Sequence, residues 1–376
     1  MTDSRYYIGL ISGTSVDGVD CVLVQFENDQ PRLLHTYFKA VEPELKAKIL
    51  SLCSGTQINL SDYGQIDVEI GQEFAVAVNR LLEKASIDAA SITAIGSHGQ
   101  TVYHQPGGDY PFSLQLGDPN TIAQLTGITT VADFRRRDMA AGGEGAPLAP
   151  LLHRNCFHSS AEDRVVVNIG GISNITVLNK DGECAAFDTG PGNVLMDYWI
   201  HKIKGQDFDA DGDWARAGSV AEGFLQGLLD DEYFSRPHPK STGRELFNGP
   251  WLEDKLKQFA EKISDVDVQA TLLSFTASTI ASDIHRIATP QHAYICGGGV
   301  HNSALMECLQ QHLGDCIVTT SSAVGLDPDW VEAVAFAWMA KKTIDGEAID
   351  TSAFTGARQA SILGGIYQAG TQPKKG

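Results

Sequence analysis

No two of the seven cysteines, at positions 21, 53, 156, 184, 296, 308 and 316, form a C-x-x-C pair, and their count is odd. That pattern argues against a structural zinc site and reads as reduced thiols in a cytoplasmic protein. Long apolar runs are also missing: no segment approaches the roughly 18 consecutive residues that a membrane-spanning helix requires. The start, M-T-D-S-R-Y-Y-I-G-L, is acidic early and breaks its apolar run at Gly9 and Ser12, so it lacks the basic region and apolar stretch of a signal peptide. Positive charge is scarce, with 28 Lys and Arg against 47 Asp and Glu and a formal charge of -19. This balance argues against nucleic acid or an anionic membrane as main partner, while leaving room for a small anion held by local donors.

Familiar nucleotide and catalytic signatures are absent as well. There is no G-x-x-x-x-G-K-[ST], because P-K-S-T at 239–242 lacks the glycine before its lysine, and no G-x-G-x-x-G. Protein-kinase catalytic-loop patterns, H-E-x-x-H and G-x-S-x-G are missing too. A nucleotide bound here is therefore held by another architecture.

What is present is an ordinary globular composition over 376 residues, 43% hydrophobic and 20% charged, with 38 glycines placed mostly between apolar runs. The length is a prior for two domains of about 150 residues each. Two glycine-punctuated hairpins stand out. The first is Y-I-G-L-I-S-G-T-S-V-D-G-V-D-C-V-L-V-Q-F from Tyr7 to Phe26; the second is V-V-V-N-I-G-G-I-S-N-I-T-V-L from Val165 to Leu178, followed by F-D-T-G-P-G-N. Small residues let backbone N–H groups approach an anion, and hydroxyls add donors, so the paired turns suit a polyphosphate.

Strands are expected near 6–12, 19–26 and 32–40, and apolar spacing at Ile66, Ile70, Phe74, Val78, Leu81 and Leu82 predicts a helix over 63–84. A short strand at 92–96 leads into S-H-G-Q-T. In L-G-D-P-N, Asp118 and Pro119 read as cap and first residue of a helix. After a strand near 128–132, residues 132–150 read as a polar loop long enough to be functional. The pattern restarts at Arg164 with strands at 165–169, 174–178 and 184–187 and a helix from about 192. Further helices are expected over 266–288 and 329–342, with a strand at 292–296 between them. Three strands followed by alternating helices and strands, twice over, is an α/β protein of two like domains, 1–160 and 161–376, with the last helix able to pack back on the first.

Each candidate motif also has a plain structural explanation. The turn Gly13, Thr14, Ser15, Val16, Asp17, Gly18, Val19 and Asp20 is the best phosphate candidate, though Asp17-Gly18 also makes an ordinary hairpin. An acidic residue there suits Mg²⁺ near phosphates. Gly170 and Gly171 form the second turn. Gly297, Gly298 and Gly299, with Asn302 opening a helix, either make room for a flat ring or sugar or simply turn a corner. Asp188 in F-D-T-G-P-G-N is a general-base candidate or a helix cap. An aspartic protease would need a second such carboxylate, and D-[ST]-G occurs once. Arg135, Arg136 and Arg137 offer forks for a carboxylate or phosphate, or ion pairs with Asp133, Asp138 and Glu144. His98 and Gln100 offer sugar-type hydrogen bonds; Glu332 complements a helix dipole.

Together these stretches resemble the actin, sugar kinase and Hsp70 ATPase superfamily. More narrowly, I-G-L-I-S-G-T-S-V-D-G-V-D, G-S-H-G-Q-T-V-Y-H, L-G-D-P-N, A-D-F-R-R-R-D-M-A-A-G-G-E-G-A-P-L-A-P, N-I-G-G-I-S-N-I-T and F-D-T-G-P-G-N resemble the anhydro-N-acetylmuramic acid kinase family, from Tyr7 to about Lys342. The resemblance implies two actin-like (ribonuclease H-like) domains with a nucleotide and sugar cleft between them. It implies an ATP- and Mg²⁺-dependent enzyme that opens 1,6-anhydro-N-acetylmuramic acid with water and phosphorylates O6, in cytoplasmic peptidoglycan recycling. Asp188 matches the base, Glu332 a second carboxylate, Gly13 to Asp20 the phosphate loop, and His98, Gln100 and Arg136 fall in sugar-binding segments; the metal ligands stay open. A homodimer is the expected assembly. The alternative is a nucleotide-switched actin-fold binding or assembly protein with slow ATPase activity.

Overall fold

The computed structural model describes residues 5–27, 29–54 and 59–370. The first four residues, part of the reading against a signal peptide, lie outside them. By internal contact the chain divides into two compact units, Met1–Asn155 with Trp330–Gly376, and Cys156–Asp329. The sequence pattern puts the boundary near residue 160 with the last helix able to pack back on the first domain; the chain returns to the first unit at Trp330.

In the first unit, β1 (Tyr6–Ser12), β2 (Gly18–Glu27) and β3 (Gln30–Ala40) form an antiparallel meander. β1 also pairs in parallel with β4 (Ile92–Gln105), which carries β5 (Phe112–Leu116) on its far end and pairs in parallel with β6 (Thr130–Ala132). Every residue of β1 after Tyr6 is buried, as a central strand covered on both faces requires. The helix Leu60–Ala85 puts Ile66, Ile70, Phe74, Val78 and Leu81 into this core. A short strand, Gly365–Tyr367, closes the other edge against β6.

The helix Val331–Ile344 lies across β1 and β4 in the same unit. Its close approach explains two glycines that face each other across the sheet. A Cβ at Gly9 would meet the carbonyl oxygen of Ala333 at 1.9 Å, and one at Gly96 that of Phe336 at 2.0 Å. Backbone packs on backbone here, and no larger residue fits.

The second unit repeats the plan. β7 (Arg164–Ile169) pairs antiparallel with β8 (Ile172–Leu178), β8 with β9 (Cys184–Pro191), and β7 in parallel with β10 (His292–Cys296), which pairs with β11 (Ile317–Thr320). The order β11-β10-β7-β8-β9 matches β6-β4-β1-β2-β3 strand for strand, in direction as well as position. This duplicated arrangement is the actin-like (ribonuclease H-like) α/β fold. A separate core surrounds the helix Asp265–Ile287, with Tyr233, Phe234, Phe247 and Phe275 in edge and stacked contacts.

Three expectations are corrected. The strand expected at 92–96 runs on to Gln105, because pairing with β5 extends it, so His98 and Gln100 lie within a strand. The loop expected over 132–150 contains a helix, Phe134–Ala140, tied down by contacts distant in sequence: buried Asp138 accepts from the hydroxyls of Thr351 and Thr355 and from the N–H of Gly145. The strand ending at 187 continues to Pro191, so Asp188 lies inside β9, opposite Asn174.

Candidate active site

In an open α/β sheet, ligands gather at the carboxyl ends of the parallel strands. In the first unit that end carries the turn from Ser12 to Asp17, between β1 and β2. Val16 has φ 55°, an unusual conformation for a β-branched residue, and its N–H donates to the carbonyl of Gly13 at 3.1 Å. Val16 and Val19 are buried as anchors in the core, while Gly13 and Thr14 stand exposed. Gly18 is required by packing, since a Cβ there would meet the carbonyl oxygen of Lys39 at 2.7 Å. Asp17 pairs with Lys46 at 2.6 Å.

The turn is held from below by Gln100. Ser12 Oγ donates to Gln100 Oε1 at 2.6 Å, and Gln100 Nε2 donates to the carbonyls of Gly13 at 3.2 Å and Thr101 at 3.1 Å. Gln100 is 1% exposed, and its amide is fully spent on this clamp.

Beside the turn lies a cavity of about 300 Å³ whose lining includes Ser12, Gly13, Thr14, His98, Arg135 and Glu332. His98 Nδ1–H donates to the carbonyl of Gly99 at 2.9 Å, and its Nε2 accepts from Arg135 Nε at 2.8 Å. Both ring nitrogens are thus committed. Burial and the Arg135 charge hold His98 well below the usual histidine range, so the ring is neutral. Arg135 also donates through Nη1 to the carbonyl of Gly145 at 2.9 Å. Burial lowers its pKa to about 10, with Glu332 and Asp138 opposing that shift. The carboxyl of Glu332 reaches solvent at the cavity wall, yet the protein crowded around it raises its pKa, with Arg135 pulling the other way. Arg136, the arginine favoured from sequence, is exposed and sits 3.4 Å from Asp133.

In the second unit, Asp188 is half-buried in β9. Its Oδ2 accepts from Ser241 Oγ at 3.0 Å and from the N–H of Thr242 at 3.0 Å. No described residue donates to Oδ1. Desolvation raises the pKa of Asp188, the Thr242 and Ser241 donors oppose the rise, and the charge of Glu245 adds to it. Its backbone is fixed on both sides, N–H to the carbonyl of Lys240 at 3.0 Å and carbonyl to the hydroxyl of Tyr233 at 2.7 Å.

At the same end of this sheet the carbonyls of Gly170 and Gly171 accept from the N–H groups of Asn193, Gly192 and Val194. A Cβ at Gly192 would meet the Gly170 carbonyl at 2.3 Å, so turn and helix start are one packed piece. After β10, Gly297 has φ 78° and, like Gly299, abuts residue 169: added Cβ atoms would meet Ile169 O at 2.8 Å and Ile169 Cγ2 at 2.4 Å. Gly298 differs; it is exposed, and its nearest neighbour would be Asn193 Nδ2 at 3.9 Å. Asn302 caps the helix Ser303–Leu313 by accepting from the N–H of Leu305. Two of the three glycines therefore serve packing, and one offers bare backbone.

Reasoning from sequence missed the 240–242 segment. P-K-S-T lacks the glycine of a phosphate loop, and its role in cradling Asp188 has no local signature. Among the described residues no group of three or more His, Cys, Asp or Glu could hold a metal ion, and no helix is long and apolar enough to cross a membrane.

The duplicated actin-like fold, together with the family match and relatives that follow, places the chain among the sugar kinases. The chain belongs to the anhydro-N-acetylmuramic acid kinase family, whose model matches residues 5–369. It is 48% identical over 368 residues to the anhydro-N-acetylmuramic acid kinase of Shewanella sp. (strain ANA-3), covering 98% of this chain and 100% of that protein. It is also 48% identical over 365 residues to that of Aliivibrio fischeri (strain ATCC 700601 / ES114), covering 96% and 99%. Among solved structures, the (R)-2-hydroxyglutaryl-CoA dehydratase component A of Acidaminococcus fermentans aligns over 89% of this chain and 97% of its own, at 13% identity and a TM-score of 0.46.

Proposed function

We propose that this chain uses ATP and water to convert 1,6-anhydro-N-acetylmuramic acid into N-acetylmuramic acid 6-phosphate and ADP. The observation that carries the mechanism is the asymmetry of Asp188: Oδ2 is saturated by Ser241 and Thr242, and Oδ1 is left for a water. Oδ1 takes one proton from that water as its oxygen bonds to the anomeric carbon. The C1–O6 bond breaks, O6 bonds to the γ-phosphorus, and ADP leaves. A carboxylate whose pKa is raised by burial, against the pull of two donors, is a stronger base than an ordinary aspartate.

The exposed Gly13 and Thr14 and the half-buried Ser15 receive the phosphates on their backbone N–H groups and hydroxyls, and Gln100 keeps that turn in shape. Gly298 leaves space for the nucleoside. Arg135, rather than Arg136, faces the sugar's lactyl carboxylate, because Arg135 lines the cavity and His98 fixes its direction. Glu332 accepts a hydrogen bond from a sugar hydroxyl. Magnesium that arrives with a nucleotide needs only one or two protein carboxylates, so the lack of a larger ligand cluster among the described residues is no obstacle. Asp20, near the start of β2 beside the turn, is the carboxylate that would hold it. Bound magnesium would neutralise charge on the phosphates. Cytoplasmic cell-wall recycling by a homodimer is the setting this reading implies. Its test is ADP release with and without the anhydro-sugar: sugar-dependent release supports it, and release indifferent to sugar points to the nucleotide-switched alternative.

A further inference from the structure

The segment behind Asp188 is organised around a buried charge. Lys240, in a side chain only 3% exposed, places Nζ 2.9 Å from Oδ2 and 3.1 Å from Oδ1 of Asp283, itself 6% exposed, on the helix Asp265–Ile287. The ammonium also stands 4.8 Å from the ring centre of Tyr233, whose hydroxyl donates to the Asp188 carbonyl. From this anchor three consecutive residues bracket Asp188: the Lys240 carbonyl accepts from its N–H, and the Ser241 hydroxyl and Thr242 N–H donate to its Oδ2. His238 stacks on Phe187, one residue earlier in β9, at 5.2 Å and 17°.

A lysine this deep is costly to desolvate, and an apolar residue would fill the space more cheaply. What the pair supplies is a fixed point from which the next two residues are aimed. We propose that Lys240, anchored by Asp283, is a positioning residue for Asp188, acting through Ser241 and Thr242 to hold Oδ2 and turn Oδ1 toward the attacking water. This rests on the base role proposed above for Asp188. The other charges in play are Glu245 facing Asp188, and Arg286 and His238 facing Asp283.

Lys240→Met alone strands the Asp283 carboxylate beside Arg286, so the informative variant removes both charges, Lys240→Met with Asp283→Leu. Ser241→Ala, which leaves the buried pair intact, is the second variant. The readouts are kcat, KM for ATP and sugar, and the pH profile of kcat, with Asp188→Asn measured alongside. Misplacement of a reacting group by about 1 Å costs on the order of 100-fold. The double variant is expected to fold, to lose about 10- to 100-fold in kcat with both KM values within about threefold, and to move its acid limb to higher pH. Ser241→Ala is expected to move the acid limb the same way, because Asp188 loses a donor that favours its charged form. A folded double variant with wild-type kcat and acid limb overturns the proposal; if the double variant does not fold, an unmoved acid limb in Ser241→Ala overturns it. If Asp188→Asn is itself active, the base role falls and the positioning role with it; an inactive Asp188→Asn beside a normal double variant removes the positioning role alone.

Discussion

Arg135 donates its Nε–H to Nε2 of His98 at 2.8 Å, and that one bond settles the chemistry of both residues. It makes the imidazole a neutral acceptor and points the guanidinium along the cavity wall, with Nη1 held by the Gly145 carbonyl. In the proposed reading, His98 aims the arginine.

From this follows a contrast between neighbouring arginines. Arg135→Ala is expected to raise the sugar KM by tenfold or more, since a hydrogen bond to a charged group contributes about 1.5–3 kcal/mol. Arg136→Ala, which removes only an exposed pair with Asp133, should stay within about twofold. Steady-state kinetics on the two variants separates them.

Gln100→Ala should act on the nucleotide instead. It leaves the Ser12 hydroxyl and the Gly13 carbonyl without their buried partner, at a cost of about 1–3 kcal/mol. A looser turn should raise the KM for ATP several-fold with a smaller change for the sugar, and equal effects on both would deny Gln100 its place beneath the phosphate turn.

Two glycine substitutions distinguish packing from binding. Gly9→Ala forces a methyl group into the Ala333 carbonyl and should cost about 1–3 kcal/mol or more, seen as a lower Tm. Gly298→Ala meets nothing closer than 3.9 Å, so Tm should hold while ATP binding weakens. Unchanged ATP affinity in that variant would return Gly298 to a plain corner.

Asp188 links activity to stability in opposite senses. Its folded pKa is raised, so the contribution of its proton to folding is fully present below the unfolded pKa of about 3.9 and is lost as pH rises through the folded value. Asp188→Asn should therefore abolish turnover by about 10²–10⁴-fold while raising Tm slightly at pH 7, an advantage that disappears near pH 3. Parallel thermal melts at the two pH values check the sign.

Local pattern carried the repeated hairpins, the helix Leu60–Ala85 and the Asp118–Pro119 helix start into view, because each is encoded in a few adjacent residues. Contacts distant in sequence were not visible in that way. The helix within 134–140 is stabilised by Thr351 and Thr355, and the cradle of Asp188 is supplied from 53 and 54 positions away. Arg135 and Arg136 are adjacent in the chain, yet on a helix successive side chains point about 100° apart, so only the fold could decide between them.

The most direct test of the proposed reaction is to mix protein, ATP and the anhydro-sugar in ¹⁸O-water and read early products by mass, against unlabelled phosphosugar held in the same water. The expected result is a 6-phosphosugar labelled at the anomeric hydroxyl, with unlabelled phosphate on O6. Label appearing in inorganic phosphate, with no phosphosugar formed, would mean that water attacks ATP itself and would contradict the account.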